Sequence, residues 1–168
     1  MQIVLMRHGI AIDHADPHCP DDFHRPLTEQ GRERTRLAAR GLAWMGVRPG
    51  AIVSSPLVRA QETATIVAEE LGFDPGKVAT TGALSPAGDP GQLLAEVRAL
   101  GVESVLCTGH LPGMDLIVAA AIGSGRRPFT SMKKAGAVCI ELFPRGWAQL
   151  HWLLPPRALR RLGGARRP

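Results

Sequence analysis

The run Gln2-Ile3-Val4-Leu5-Met6 is almost uninterruptedly apolar and stops at Arg7-His8-Gly9. An extended chain turns successive side chains to opposite faces, so a run of this kind is a strand buried on both sides. A sheet lying between two helical layers supplies that cover. The pattern recurs at Ala51-Ile52-Val53 before Ser54-Ser55-Pro56, and at Ser104 to Thr108 before Gly109-His110. Val78 to Thr80 reads as a further, poorly defined strand. Between these runs the apolar spacing is helical: Leu37, Ala38, Leu42 and Met45 in a segment that opens at Leu27-Thr28, and Leu93, Leu94, Val97 and Leu100 in the segment from Asp89. Thr28 is the expected cap of the first of these helices. Another helix is expected from Ser55-Pro56 to about Leu71, with Ser55 as its cap and Pro56 in its first turn, and an apolar one from Leu111 to Ile122. Val138 to Leu142 and Gln149 to Leu153 flank Pro144-Arg145-Gly146 and predict a hairpin. The fold expected is α/β: three α/β/α layers with a mostly parallel central sheet and a C-terminal antiparallel strand.

Composition narrows the choice of function. With 168 residues, 45% hydrophobic and 21% charged, one globular domain is expected over residues 1–156, followed by an Arg-rich tail at 157–168. The formal net charge of +5 points toward a polyanion, but the tail holds five arginines and no acid, and the body is electrically balanced. The chain has no tyrosine and only 4% aromatic residues, which speaks against base-stacking platforms and nucleic-acid partners. Cys19, Cys107 and Cys139 form no CxxC pair, so neither a disulfide framework nor a zinc site is expected, and the compartment is read as reducing and cytoplasmic. No signal peptide is evident, and the most apolar run, Leu116 to Ile122, falls short of the roughly 20 residues a membrane span needs. The loop from 10 to 26 carries His14, His18, His24 and Cys19 in no recognised ligand spacing, so no metal is expected.

In a parallel sheet of this kind ligands bind beyond the carboxyl ends of the strands. Three of those ends carry Arg7-His8, Ser55-Pro56 leading to Arg59, and Gly109-His110. Two arginines can hold a tetrahedral oxyanion by charge-assisted hydrogen bonds that lysine does not reproduce. A neutral imidazole can attack phosphorus, while a second, protonated one can neutralise charge developing on the equatorial oxygens. Taken singly, His8 reads as a core histidine and Arg59 as a solvated helix residue pairing with Glu62 or Glu29; their convergence argues for a site.

Arg7-His8-Gly9, Leu27-Thr28-Glu29-Gln30-Gly31, Ser55-Pro56-Leu57-Val58-Arg59-Ala60-Gln61-Glu62-Thr63-Ala64 and Gly109-His110, in that order, resemble the motifs of the histidine phosphatase superfamily, whose fold is phosphoglycerate mutase-like. The short chain is most similar to its phosphohistidine phosphatase branch, the SixA type. The resemblance implies that His8 is a nucleophile that becomes phosphorylated, that Arg7 and Arg59 clamp the phosphate, and that His110 stabilises the transition state. Water would then hydrolyse phospho-His8, with no cofactor and no metal. Gly9 and Gly109 are expected to let the backbone turn and approach the anion closely. His14 stands where other branches place Asn or Ser reaching toward phosphate, which makes it a substrate-binding candidate. Cys107 reads as a packed strand residue.

Two departures bear on substrate class. Gly82 to Asp89 lacks the glutamate with which many relatives protonate an alkoxide leaving group; Asp89 is either a substitute or an ordinary helix cap. General acid catalysis is typically worth about 10² to 10⁴ in rate, and phosphohistidine, which leaves as imidazole, needs less of it. Leu111-Pro112 replaces a frequent Asn-Pro after Gly-His. The chain is also too short for the insertions that cover a small substrate. A phosphorylated protein, such as a histidine phosphotransfer domain, is the expected partner, with Lys133 and Lys134 either lining the pocket rim or forming a solvated turn. A phosphatase for small phosphoesters and a noncatalytic phosphate-binding regulator are the alternatives.

Overall fold

The computed structural model describes residues 1–123, 127–144 and 146–165. Its elements alternate as expected: β1 (Gln2–Arg7), α1 (Glu29–Trp44), β2 (Ala51–Ser54), α2 (Val58–Leu71), β3 (Ala79–Thr80), α3 (Pro90–Ala99), β4 (Ser104–Gly109), α4 (Gly113–Ala121), β5 (Ala137–Leu142), β6 (Ala148–Leu154) and α5 (Pro156–Gly164). The six strands form one sheet in the order β3-β2-β4-β1-β5-β6. β1 to β4 pair in parallel, whereas β5 is antiparallel to both β1 and β6.

β1 shows why the opening run is apolar throughout. Ile3 and Leu5 pack into one core with Val105, Leu93, Val97, Met114 and Ile117, beneath α3 and α4. Val4 and Met6 pack into the other with Ala38, Leu42, Ile52, Ala64, Val67 and Leu159, beneath α1, α2 and α5. The helices begin and end on local chemistry. Thr28 Oγ1 accepts from Gly31 N at 2.9 Å to cap α1, and Asp89 accepts from Gln92 N at 2.7 Å to cap α3, with Pro90 in the first turn. Gly72, at φ 69°, closes α2 in the left-handed conformation that glycine adopts without strain.

Two expectations change. α2 starts at Val58 with Leu57 at its N-cap and no capping side chain, so Ser55 and Pro56 precede the helix rather than open it. Residues 157–164, set apart by composition as a tail, form most of α5, which packs on α1. Their arginines conceal an apolar edge, Ala158, Leu159 and Leu162, at helical spacing, and Leu159 is fully buried. Gly41 and Gly163 allow the close crossing: a Cβ on Gly41 would meet the Leu159 carbonyl, and one on Gly163 the Leu37 carbonyl. Arg166 and Arg167 lie outside the described residues. Among the described residues no helix is long and apolar enough to cross a membrane.

Candidate active site

The central position of β4 brings the site together. Its neighbours β1 and β2 end level with it: His8 N donates to the Gly109 carbonyl and Ser55 N to the Thr108 carbonyl, each at 3.0 Å. His8 and His110 therefore stand side by side, ring centroids 4.9 Å apart and planes inclined by 49°. Both are buried, with 6% and 3% of their surface exposed. Arg59 enters from the first turn of α2 and is equally buried at 3%. Arg7 closes the group from the end of β1.

Each side chain is held on one side only. His8 Nδ1 lies 2.7 Å from the Gly9 carbonyl. A carbonyl oxygen only accepts, so Nδ1 carries the proton and Nε2 keeps its lone pair. Gly9 N donates to Thr63 Oγ1 at 3.1 Å, and that hydroxyl donates to the Arg59 carbonyl at 2.7 Å, which ties the His8 turn to α2. His110 Nε2 shares a 2.9 Å hydrogen bond with Ser55 Oγ, while its Nδ1 is buried and has no partner among the described residues. Ser55, expected as a helix cap, instead fixes this imidazole and accepts from Leu57 N at 3.3 Å. Arg7 Nη1 donates to the Met132 carbonyl at 2.9 Å, and Arg59 Nη1 and Nη2 donate to the carbonyl and carboxylate of Asp22 at 2.6 and 3.2 Å. The Nε of both arginines is buried without a partner among the described residues. Among the described residues three donor or acceptor atoms, Arg7 Nε, Arg59 Nε and His110 Nδ1, are thus left over in the residues grouped with the histidine pair.

Asp22 and Arg25 were not legible as site residues. Arg25 grips the Asp22 carboxylate through Nε at 3.2 Å and Nη2 at 3.1 Å, and the Ile12 carbonyl through Nη1 at 2.8 Å. The only sequence signal is an acid three residues before an arginine, whereas the contact that matters, Asp22 with Arg59, spans 37 residues. Burial works to raise the Asp22 carboxyl, but hydrogen bonds and charge from Arg59, then Arg25, outweigh it and hold the group below the usual carboxylate range.

The remaining candidates fall into place individually. His14 is exposed and faces Asp22 Oδ1 at 3.2 Å, so it meets the carboxylate and not the histidine pair. The smallness of Gly9 and Gly109 serves packing against the protein's own atoms: a Cβ on Gly9 would collide with Thr35 Oγ1, and one on Gly109 would lie 2.8 Å from Met114 Cε and 2.9 Å from the Leu84 carbonyl. Arg59 pairs with Asp22, while Glu62 is taken by Arg32 at 2.6 Å. Asp89 is a helix cap. Lys134 precedes Ala135, whose N–H bonds the carbonyls of Arg7 and His8 at 3.0 and 3.1 Å. Lys134 is exposed, and burial, then the charges of Arg7, Arg25 and Arg59, lower its pKa. The Cys107 thiol is pushed up to about 12 by burial and stays unreactive.

Charge sets the imidazoles apart from a simple expectation. Burial, then the proximity of His110, lowers the His8 pKa to about 3, so the ring is neutral and nucleophilic near neutral pH. Burial, then the charge of Arg59, lowers His110 to about 4, so it is neutral here, not protonated as the residue pattern suggested. A dianion between the two rings would offset the arginine charge and favour the imidazolium. Because both folded pKa values lie below the unfolded value near 6.5, the unfolded chain binds more protons as pH falls from about 6.5 toward 4. Stability should drop over that window with a limiting slope of ~1.4 kcal/mol per pH unit for each histidine. Urea unfolding at pH 7, 6, 5 and 4 measures it; the His8→Ala, His110→Ala double variant should show a shallower decline.

A profile of the histidine phosphatase superfamily (branch 1) matches residues 3–84. The phosphohistidine phosphatase SixA of Escherichia coli is 32% identical over 160 residues, covering 93% of this chain and 94% of that protein. A protein of Picosynechococcus of uncharacterised function is 35% identical over 142 residues, 82% of this chain and 83% of its own length. In structure, the chain superimposes on the protein histidine phosphatase SixA complexed with tungstate with a TM-score of 0.84 and 31% identity, over 95% of this chain and 99% of that one. The fold and the paired histidines define a histidine-phosphatase-type phosphatase. The chain belongs to the histidine phosphatase superfamily and is similar throughout its length to the SixA branch.

Proposed function

We propose that the protein removes phosphoryl groups from phosphohistidine on a partner protein, through a phosphoryl group carried transiently on His8. His8 Nε2 attacks phosphorus while Arg7 and Arg59 hold the phosphoryl oxygens and His110 faces the charge that builds on them. The phosphorus–nitrogen bond of the substrate, protonated on its other ring nitrogen, breaks and its electron pair returns to that ring, which leaves as neutral imidazole; a water molecule later attacks phospho-His8, its proton passing to phosphate or solvent, and the neutral His8 ring is released. Side chains suffice for every step.

One observation carries the substrate class: among the described residues the carboxylate that touches the clamp, Asp22, is held ionised by two guanidinium groups. An ionised carboxylate gives no proton to an alkoxide, whereas an imidazole leaving group has little need of one. The similarity to SixA, whose structure holds the oxyanion tungstate, supports the same reading.

The test compares kcat/KM on a phosphorylated histidine phosphotransfer domain with that on a panel of sugar phosphates and nucleotides. Phosphohistidine should lead by about 100-fold or more, the low end of a general acid's contribution. Turnover of the small esters alone would overturn the substrate class.

A further inference from the structure

Arg7 is the clamp residue with no carboxylate of its own, since Asp22 serves Arg59. Among the described residues its guanidinium donates to the carbonyl of Met132, between α4 and β5. Residues 127–133 belong to no helix or strand ladder, so side-chain contacts must help hold Met132 where Arg7 needs it. Asp115, in the first turn of α4, occupies that place. It is 6% exposed, and its Oδ1 accepts from Thr130 Oγ1 at 2.6 Å and from Met132 N at 3.4 Å. A carboxylate is rarely buried without a specific set of donors. Among the described residues these two donors belong to the strap that carries the Arg7 acceptor. The Met132 side chain is also buried, at 2%, which anchors the strap a second time.

We propose that Asp115 is the positioning residue of the oxyanion site: through Thr130 and Met132 it sets the carbonyl that aims the Arg7 guanidinium at the phosphoryl group. The assignment rests on reading Arg7 as a phosphate ligand. It also gives the buried charge a second use. The negative charge of Asp115 favours the charged form of Arg7, against the burial that lowers its pKa. Each clamp arginine is then backed by one acid: Arg59 directly by Asp22, at the surface, and Arg7 through a hydrogen-bonded strap by Asp115, in the interior.

A purely structural acid and a positioning acid differ in how they couple to Arg7. Vanadate serves as the probe, its affinity measured by calorimetric titration of the whole chain and of Asp115→Ala, Arg7→Ala and the double variant. Asp115→Ala should weaken vanadate roughly 10-fold on the native background and less than about 2-fold on the Arg7→Ala background, the non-additivity expected of residues acting as one unit. Thr130→Val, which removes the hydroxyl donor and keeps the volume, should weaken it in the same direction and less. It replaces Asp115→Ala in the cycle if that variant does not unfold cooperatively. Asp115→Asn keeps an acceptor at Oδ1 and should recover part of the loss. Equal weakening on both backgrounds, or none on the native one, overturns the assignment of Asp115. A vanadate affinity indifferent to Arg7→Ala overturns the reading of Arg7 itself, and is distinguishable because it appears in the single variant.

Discussion

His8→Ala should lower kcat by roughly 10³-fold or more and abolish acid-labile phosphate on the protein after incubation with a phosphodonor. The neighbours are poorly placed to take over the attack. His110 lies 4.9 Å away, centroid to centroid, with Nε2 engaged by Ser55. Cys107 is fully buried in β4 with its thiol pushed up to about 12. The loss should not be a folding defect: the imidazole makes one hydrogen bond, to the adjacent Gly9 carbonyl, and its removal also relieves a histidine that folding holds neutral. Labelling with a radioactive phosphodonor, followed by acid treatment, reads the result. Acid-labile label of equal intensity in His8→Ala would exclude His8 as the phosphoryl carrier.

Arg59→Lys should cost about 10²- to 10³-fold in kcat/KM, although it keeps the charge, because two charge-assisted hydrogen bonds of roughly 1.5 to 3 kcal/mol each depend on the planar fork. Arg59 spends Nη1 and Nη2 on the Asp22 carbonyl and carboxylate, and its buried Nε has no partner among the described residues. A lysine ammonium is a single point and cannot reach Asp22 and a phosphoryl oxygen from the same place. The variant should choose Asp22, keep its stability, and bind competing oxyanions weakly. Steady-state kinetics with phosphate as inhibitor measures this; activity within 2-fold of native would show that the fork is not what the site requires.

Much of this was legible in the residues. The double-sided burial of β1 follows directly from its consecutive apolar residues, and β4 repeats it. α1 and α3 carry their caps, Thr28 and Asp89, where the sequence places them. Arg7, His8, Arg59 and His110 converge because each sits at or just past a strand end, and in a parallel sheet those ends share one edge. What escaped is of another kind. Ser55 looks like a cap, but its hydroxyl is drawn to His110, a residue 55 positions away. Asp22 and Arg25 lie in a loop whose composition suggests solvent, yet the pair anchors that loop on Arg59. α5 was hidden because arginine dominates its composition while only a narrow apolar edge is buried. β3 is only two residues long and exposed at the sheet edge, so it leaves little periodicity to read.

Local spacing by itself determined β1, β2, β4 and the helices α1 to α4, though not α5, and the residue types at the strand ends pointed to an oxyanion. Both depend on near neighbours in the chain, which sequence displays. Only the tertiary structure decided the insertion of β4 between β2 and β1, and with it the 4.9 Å pairing of His8 and His110, their neutrality, and the division of Asp22 and Asp115 behind the two arginines. Those properties come from burial and from charges brought together across tens of residues, and no local pattern in the chain records them.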